Sequence, residues 1–196
     1  MGPNILCWGA SFFTKKAHDP RFISWHTDSF VYGFEPAETV TAWLGFNDST
    51  VESGCLKYIP GSHRSVAEHA IRPDPNNLAT LGQNVIGVPE DKAVDAVLRA
   101  GQVVFHHESV VHSSTPNLSD NPRIGFSIHY VAPHVRETRF DGATAMLLRG
   151  ADEYGHWGTD PDPRHDLDPV CIEAMESTRA KFMKTTETKI ASGGRS

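Results

Sequence analysis

The sequence predicts a mainly β protein, and three observations carry that prediction. Sixteen glycines and thirteen prolines spread through 196 residues give frequent turn punctuation. Between those turns several short runs alternate with a period of two, most clearly over Arg123–Val131. Only one stretch, near the C terminus, carries a helical stripe.

Taken in order, residues 4 to 16 open apolar and aromatic (Ile5, Leu6, Trp8, Phe12, Phe13), as the interior of a domain does and a loosely held end does not. His18-Asp19-Pro20 makes a turn. Phe22–Ser29 reads as a strand with Phe22, Ser24, His26 and Asp28 on one face. Thr39–Phe46 alternates Val40, Ala42, Leu44 and Phe46 against Thr39, Thr41, Trp43 and Gly45, the pattern of a half-buried strand. Asn47–Gly54 is turn material, Cys55–Ile59 is a short strand, and Pro60-Gly61-Ser62-His63-Arg64 is a sharp turn. Residues 65–92 are the least regular, and a loop that long reads as an active-site lid, a binding segment or a disordered stretch. Ala93–Leu98 fits strand or helix, and Gln102–His107 reads as a strand. In Arg123–Val131, Ile124, Phe126, Ile128 and Tyr130 face one way and Arg123, Gly125, Ser127 and His129 the other. An arginine at the end of an otherwise small and polar face suggests a cavity wall with a fixed cation at its bottom. Residues 138–165 are more loop than element. Asp168-Pro169 supplies an N-cap and a first-turn proline, and Ile172, Met175, Phe182 and Met183 form a stripe, so a helix is expected over 169–187 and a disordered tail over 191–196. The chain is read as one domain, 1–196, with its core over 4–157.

Bulk properties narrow the function. A formal charge of −6 argues against nucleic acid and anionic membranes as partners, since both need clustered Lys and Arg. Cys7, Cys55 and Cys171 form no disulfide or zinc pattern, which fits a reducing, cytoplasmic compartment. Neither a leader peptide nor an apolar span of about 18 residues is legible. A small molecule is the expected partner.

The chemistry-bearing feature is Trp25-His26-Thr27-Asp28. An imidazole and a carboxylate two positions apart on a strand need one more histidine to form the 2-His-1-carboxylate face of non-haem Fe(II) oxygenases. Alone the pair carries little weight, because eleven histidines produce such pairs by chance, and His106-His107-Glu108 offers a second one. Short punctuated strands, an early metal pair and a late His112-Ser113-Ser114…Arg123 array together describe a double-stranded β-helix of the jelly-roll or cupin type.

The ordered set Trp25-His26-Thr27-Asp28, Val40-Thr41-Ala42-Trp43-Leu44, Gly54-Cys55-Leu56, Ile59-Pro60-Gly61-Ser62-His63, Gly101-Gln102, His112-Ser113-Ser114, Pro116-Asn117 and Asn121-Pro122-Arg123 resembles the phytanoyl-CoA dioxygenase family of Fe(II)/2-oxoglutarate oxygenases. The resemblance implies that His26, Asp28 and His112 ligate Fe(II). It implies that Arg123 and Ser114 grip the far carboxylate of the co-substrate 2-oxoglutarate, with Trp43 and Lys15 lining the same pocket. With O2 as oxidant, the implied reaction is hydroxylation of an unactivated C–H bond with release of succinate and CO2. Relatives that halogenate lack the carboxylate ligand, and Asp28 is present. His106 and His107 are expected to support a ligand or end a strand, His63 to be structural, and His129 carries no assigned role. The family normally places a longer helical region before the His-x-Asp strand, and only 25 residues precede His26 here. An apolar sheet face is therefore expected to stand uncovered, inviting a homo-oligomer. The rival expectations are a catalytically impaired jelly-roll binding or scaffold protein, a fragment of such an oxygenase, and a metal-dependent isomerase.

Overall fold

The computed structural model describes residues 1–79 and 81–191. In chain order the strands are β1 (Ile5–Lys15), β2 (Ile23–His26), β3 (Phe34–Glu35), β4 (Val40–Gly45) and β5 (Leu56–Tyr58). They continue with β6 (His69–Ile71), β7 (Gln83–Val85), β8 (Val94–Ala96), β9 (Val103–His107) and β10 (His112–Ser114). The last are β11 (Arg123–Val131), β12 (Arg136–Glu137), β13 (Thr144–Arg149) and β14 (Gly158–Thr159), before the helix α1 (Pro169–Ala191).

Two sheets make the jelly roll, one ordered β14-β13-β1-β11-β4-β9 and the other β2-β10-β5-β8. The fold class is the double-stranded β-helix read from the sequence, with its single C-terminal helix. The tail expected to be disordered falls, from residue 192 on, outside the described residues.

The period-two alternation of β11 sorts its side chains as expected. Arg123, Gly125 and Ser127 are buried, whereas Ile124, Phe126 and Ile128 are half-buried on the outer face. β4 follows the same rule, with Thr41, Trp43 and Gly45 inward. A Cβ on Gly125 would lie 2.1 Å from Trp43 Cζ2, so only glycine lets β11 carry the indole against it. The inner face of β11 is thus small or polar with Trp43 of β4 packed against it, and the phenylalanines point out. Phe12, Phe46 and Phe126 cluster there with centroids 4.6 to 6.0 Å apart, and Phe12 and Phe105 are 61% and 65% exposed.

The compact apolar core is elsewhere, around Leu6, Phe34, Val131, Val135 and Trp157. Trp157 is anchored by its indole N–H, which donates to the Val135 carbonyl at 2.7 Å.

Two expectations are corrected. The strand read as Phe22–Ser29 stops at His26, because Thr27 leads into a 3-10 turn over Asp28–Phe30. Residues 65–92 contain the β6–β7 hairpin, since Gly82, at φ +64°, turns the chain against the Arg72 carbonyl with too little room for a side chain. Residues 138–165 are mostly loop, as expected, but also contain β13, a six-residue strand between β14 and β1, whose exposed Met146, Leu147 and Leu148 blur the alternation.

Candidate active site

His26 closes β2 and His112 opens β10, and the antiparallel register sets the two residues directly opposite each other. Their rings are 4.1 Å apart between centroids. Asp28 reaches them by a different route from the one its spacing suggested. Its carbonyl accepts the Val31 and Tyr32 N–H groups at 2.9 and 3.0 Å, which fixes the tight turn after β2 and swings the carboxylate back over the strand ends. Asp28 Oδ1 lies 3.6 Å from His26 Nε2 and 3.9 Å from His112 Nε2. Those distances are too long for hydrogen bonds, and the three donor atoms all fall within 4.8 Å of one another.

The imidazoles present the correct nitrogen for a metal. His26 Nδ1 donates to the Ser24 carbonyl at 2.8 Å and His112 Nδ1 to the Val110 carbonyl at 3.0 Å. A carbonyl can only accept, so both rings carry their proton on Nδ1 and turn the Nε2 lone pair toward Asp28. Burial, helped by the neighbouring His26, pushes His112 down to about 3, so it is neutral at ordinary pH. Burial alone would raise the Asp28 carboxyl, but His112, His106 and His26 around it outweigh that and hold it well below the usual range. Two imidazoles that turn Nε2 inward and one carboxylate suit a divalent first-row metal.

The rival pair His106…Glu108 is separated by the fold. Glu108 is buried and accepts the Thr39 backbone N–H at 2.8 Å, a structural tie remote from the histidines. His106 does face the site, with Nε2 3.5 Å from Asp28 Oδ2 and Nδ1 2.9 Å from the Tyr58 hydroxyl. It reaches there because β9 pairs with β4, setting His106 beside Thr41, a register the local sequence does not reveal. His107 Nδ1 accepts the Ser109 N–H at 3.1 Å, and its ring lies 5.7 Å from that of His63.

A second cluster holds Lys15, Ser114, Arg123 and Trp43. The β1–β11 register pairs Lys15 with Arg123, and both side chains are wholly buried. Lys15 Nζ donates to Ser114 Oγ at 2.8 Å and to the Thr115 carbonyl. Arg123 Nη1 donates to the Gly54 carbonyl at 2.5 Å, and its guanidinium carbon lies 5.2 Å from the centre of the Trp43 ring. Arg123 Nε and Nη2 are buried without a partner. Two buried cations with unused donors are costly unless an anion joins them, each carrying a penalty of several kcal/mol. Burial and the adjacent guanidinium push Lys15 down to about 7, and burial lowers Arg123 to about 10. The cradle therefore has the charge, the fork and the hydroxyl that a carboxylate requires.

Asp28 and His26 also border a cavity of about 820 Å³ between the barrel mouth and α1. His129, unassigned from sequence, borders it too. Its Nδ1 is 3.1 Å from Thr41 Oγ1, its Nε2 is 3.2 Å from Ser127 Oγ, and burial pushes it down to about 4, so it is a neutral member of a hydroxyl network. Of the expected stripe on α1, Met175, Phe182 and Met183 line the cavity and Ile172 does not.

The sequence model of the family described as Phytanoyl-CoA dioxygenase (PhyH) matches residues 3–125, a span that holds both clusters. The chain belongs to the phytanoyl-CoA dioxygenase family. Among curated relatives, the phytanoyl-CoA dioxygenase domain-containing protein 1 homolog of Dictyostelium discoideum is 35% identical over 112 residues, covering 54% of this chain and 39% of that protein. The phytanoyl-CoA dioxygenase of Arabidopsis thaliana is 35% identical over 108 residues, covering 54% of this chain and 37% of that protein. The chain thus spans about two fifths of the length of these relatives. The structure of the non-heme monooxygenase ThoJ in its apo form superposes with a TM-score of 0.84 at 27% identity, covering 98% of this chain and 70% of that one. EvdO2 from Micromonospora carbonacea var. aurantiaca, complexed with 2-oxoglutarate, gives a TM-score of 0.55 at 26% identity, covering 67% of this chain and 55% of that one. By their descriptions, the first of these neighbours is a non-heme monooxygenase and the second holds 2-oxoglutarate.

Proposed function

We propose that the chain is an Fe(II)- and 2-oxoglutarate-dependent dioxygenase that hydroxylates a C–H bond of a small organic substrate. In this reading His26, Asp28 and His112 hold the metal. Arg123 and Ser114 take the far carboxylate of 2-oxoglutarate, Lys15 adds charge, and Trp43 walls the pocket. Bound Fe(II) with 2-oxoglutarate and O2 supplies the oxidising power, yielding succinate and CO2. The observation that carries the reading is the pairing of a three-donor cluster with a buried guanidinium whose Nε and Nη2 lack partners. The protein's own tasks are orientation and dryness. The Ser24 and Val110 carbonyls hold the imidazoles, the Asp28–Phe30 turn holds the carboxylate, and the buried cradle keeps water from the far carboxylate.

Anaerobic addition of Fe(II) and 2-oxoglutarate is expected to give a weak visible charge-transfer band, absent in Arg123→Ala and His112→Ala. A well-folded wild-type chain without the band would favour a jelly-roll binding protein. Succinate formed under air separates an oxygenase from a metal-dependent isomerase.

The Lys15 ammonium gives this reading a pH signature. A dianion prefers the charged form, so 2-oxoglutarate affinity is expected to be highest below about pH 7, where Lys15 is protonated, and to fall as pH rises through that value. The loss should approach about tenfold per pH unit. His112, titrating near 3, lies outside that window. Calorimetric titrations across neutral pH check this, with Lys15→Met expected to bind more weakly and without the slope. A flat wild-type profile rejects Lys15 as a carboxylate partner.

The reading extends to the whole chain as one catalytic unit, working in the cytoplasm with its three cysteines as free thiols. No helix among the described residues is long and apolar enough to cross a membrane. A homo-oligomer covering the exposed Phe12–Phe46–Phe105 face is proposed with it, and sedimentation equilibrium of wild type against Phe12→Lys measures that directly.

A further inference from the structure

We infer that the substrate is an uncharged, ring-containing apolar molecule of drug-like size, bound between the barrel mouth and α1, and not a polyanionic acyl thioester. The inference rests on the oxygenase reading for the word substrate, but the pocket assignment stands on its own observations.

The cavity holds about 820 Å³, within the roughly 300–1,000 Å³ typical of small-molecule sites, and His26 and Asp28 lie in its wall. Its barrel side carries Trp8, Tyr32 and Trp157, and its helix side Met175, Phe182 and Met183. Trp8 and Tyr32 are already fixed edge to face at 4.9 Å, giving rigid aromatic surface on which a ring can lie. The thioethers opposite are flexible and adapt to an irregular apolar outline.

α1 reaches the rest of the chain through contacts along the cavity rim. Cys171 Sγ donates to the Pro161 carbonyl at 3.3 Å, Thr178 Oγ1 is 3.5 Å from Thr144 Oγ1, Lys181 Nζ donates to the Asp141 carbonyl at 3.2 Å, and Arg139 lies 4.9 Å over the Phe182 ring. Met175 faces the cavity and is 61% exposed, so the apolar stripe of the helix has empty space where a core would be. An apolar ligand fills that space and removes the surface from water.

Charge decides the class. The ionised groups on the wall are Asp28, Glu137, Asp160 and Arg179. Glu137 is paired with Arg139 at 3.1 Å, leaving Arg179 as the only cation on the wall among the described residues. With Asp28 given to the metal and Glu137 to Arg139, the wall sets Asp160 against Arg179, one charge of each sign, and offers no cluster of Arg or Lys such as recognition of several phosphates needs. A neutral molecule needs none.

The test uses the full chain and the neutral fluorophore N-phenyl-1-naphthylamine, whose emission rises on entering an apolar site. Saturable one-site binding is expected, weakened tenfold or more in Ala174→Trp, which fills the cavity, and in Met175→Glu, which charges its wall. Far-UV circular dichroism reports whether each variant is folded, and either folded variant suffices. Phe105→Lys, on the outer sheet face, should bind as wild type does. Progesterone, neutral and polycyclic, should displace the probe at concentrations where octanoyl-CoA does not. Binding that survives both cavity variants but is lost in Phe105→Lys, or displacement by octanoyl-CoA at the lower concentration, overturns the inference. Probe binding is read without metal. A chain that binds the probe in the cavity but gives no band with Fe(II) and 2-oxoglutarate defeats the oxygenase reading alone, and the converse result defeats this one alone.

Discussion

Arg123→Ala is expected to raise the Kd for 2-oxoglutarate by about 30-fold to about 1,000-fold while leaving metal affinity nearly unchanged. The guanidinium is wholly buried, its Nη1 is fixed on the Gly54 carbonyl, and Nε and Nη2 are the two donors left over. Truncating one partner of a buried, hydrogen-bonded charge pair costs about 2–4 kcal/mol, much of it the penalty of stranding the other charge. Lys15 stays behind as a single point charge and recovers only part of that loss. Arg123→Lys discriminates charge from geometry. It keeps the cation but not the planar fork, so it should recover part of the affinity and fall short of wild type by about tenfold. Isothermal titration of the metal-loaded protein under anaerobic conditions measures all three. Equal affinities in wild type and Arg123→Ala would place the co-substrate elsewhere.

His112→Ala should be the most damaging change to the metal site. It removes one of three donors, the one whose Nε2 is 3.9 Å from Asp28 Oδ1 and whose ring lies tilted beside that of His26. Changing a group that merely supports a ligand typically costs 10- to 100-fold in metal affinity, so losing the ligand itself should cost more than about 100-fold. Thermal unfolding offers a second readout. Metal at about 100 times its Kd stabilises the native state by about 2.7 kcal/mol, and that shift should vanish in His112→Ala. His106→Ala should behave differently, weakening the metal within the supporting range because its imidazole faces the other Asp28 oxygen at 3.5 Å. If the two variants changed places, the ligand set would be His26, Asp28 and His106.

Much of this site was legible in the chain. The alternation in Arg123–Val131 put Arg123, Gly125 and Ser127 on one face before any coordinates, since a strand has only two faces. The same rule failed one residue past a strand end. Asp28 was placed beside His26 by period-two spacing, yet it arrives through a 3-10 turn, and nothing in Thr27-Asp28-Ser29 marks where the extended backbone gives way. Alternation also does not say which face is inside. In β11 the barrel interior takes the small and polar face, and the phenylalanines stand outside. His106 and Glu108 looked alike as candidates because both share spacing with the first pair. They differ only in what lies opposite them, the Asp28 carboxylate for one and the Thr39 N–H for the other.

The sequence by itself determined the donor types, the mainly β character and the arginine at the end of a small, polar strand face, because side-chain chemistry and strand periodicity are local properties. Only the tertiary structure decided that β10 runs antiparallel to β2 with His112 opposite His26, that Lys15 neighbours Arg123 across β1 and β11, and that α1 stops short of a core and encloses a cavity. Register and helix placement depend on pairing between segments tens of residues apart, and no window of neighbouring residues contains that information.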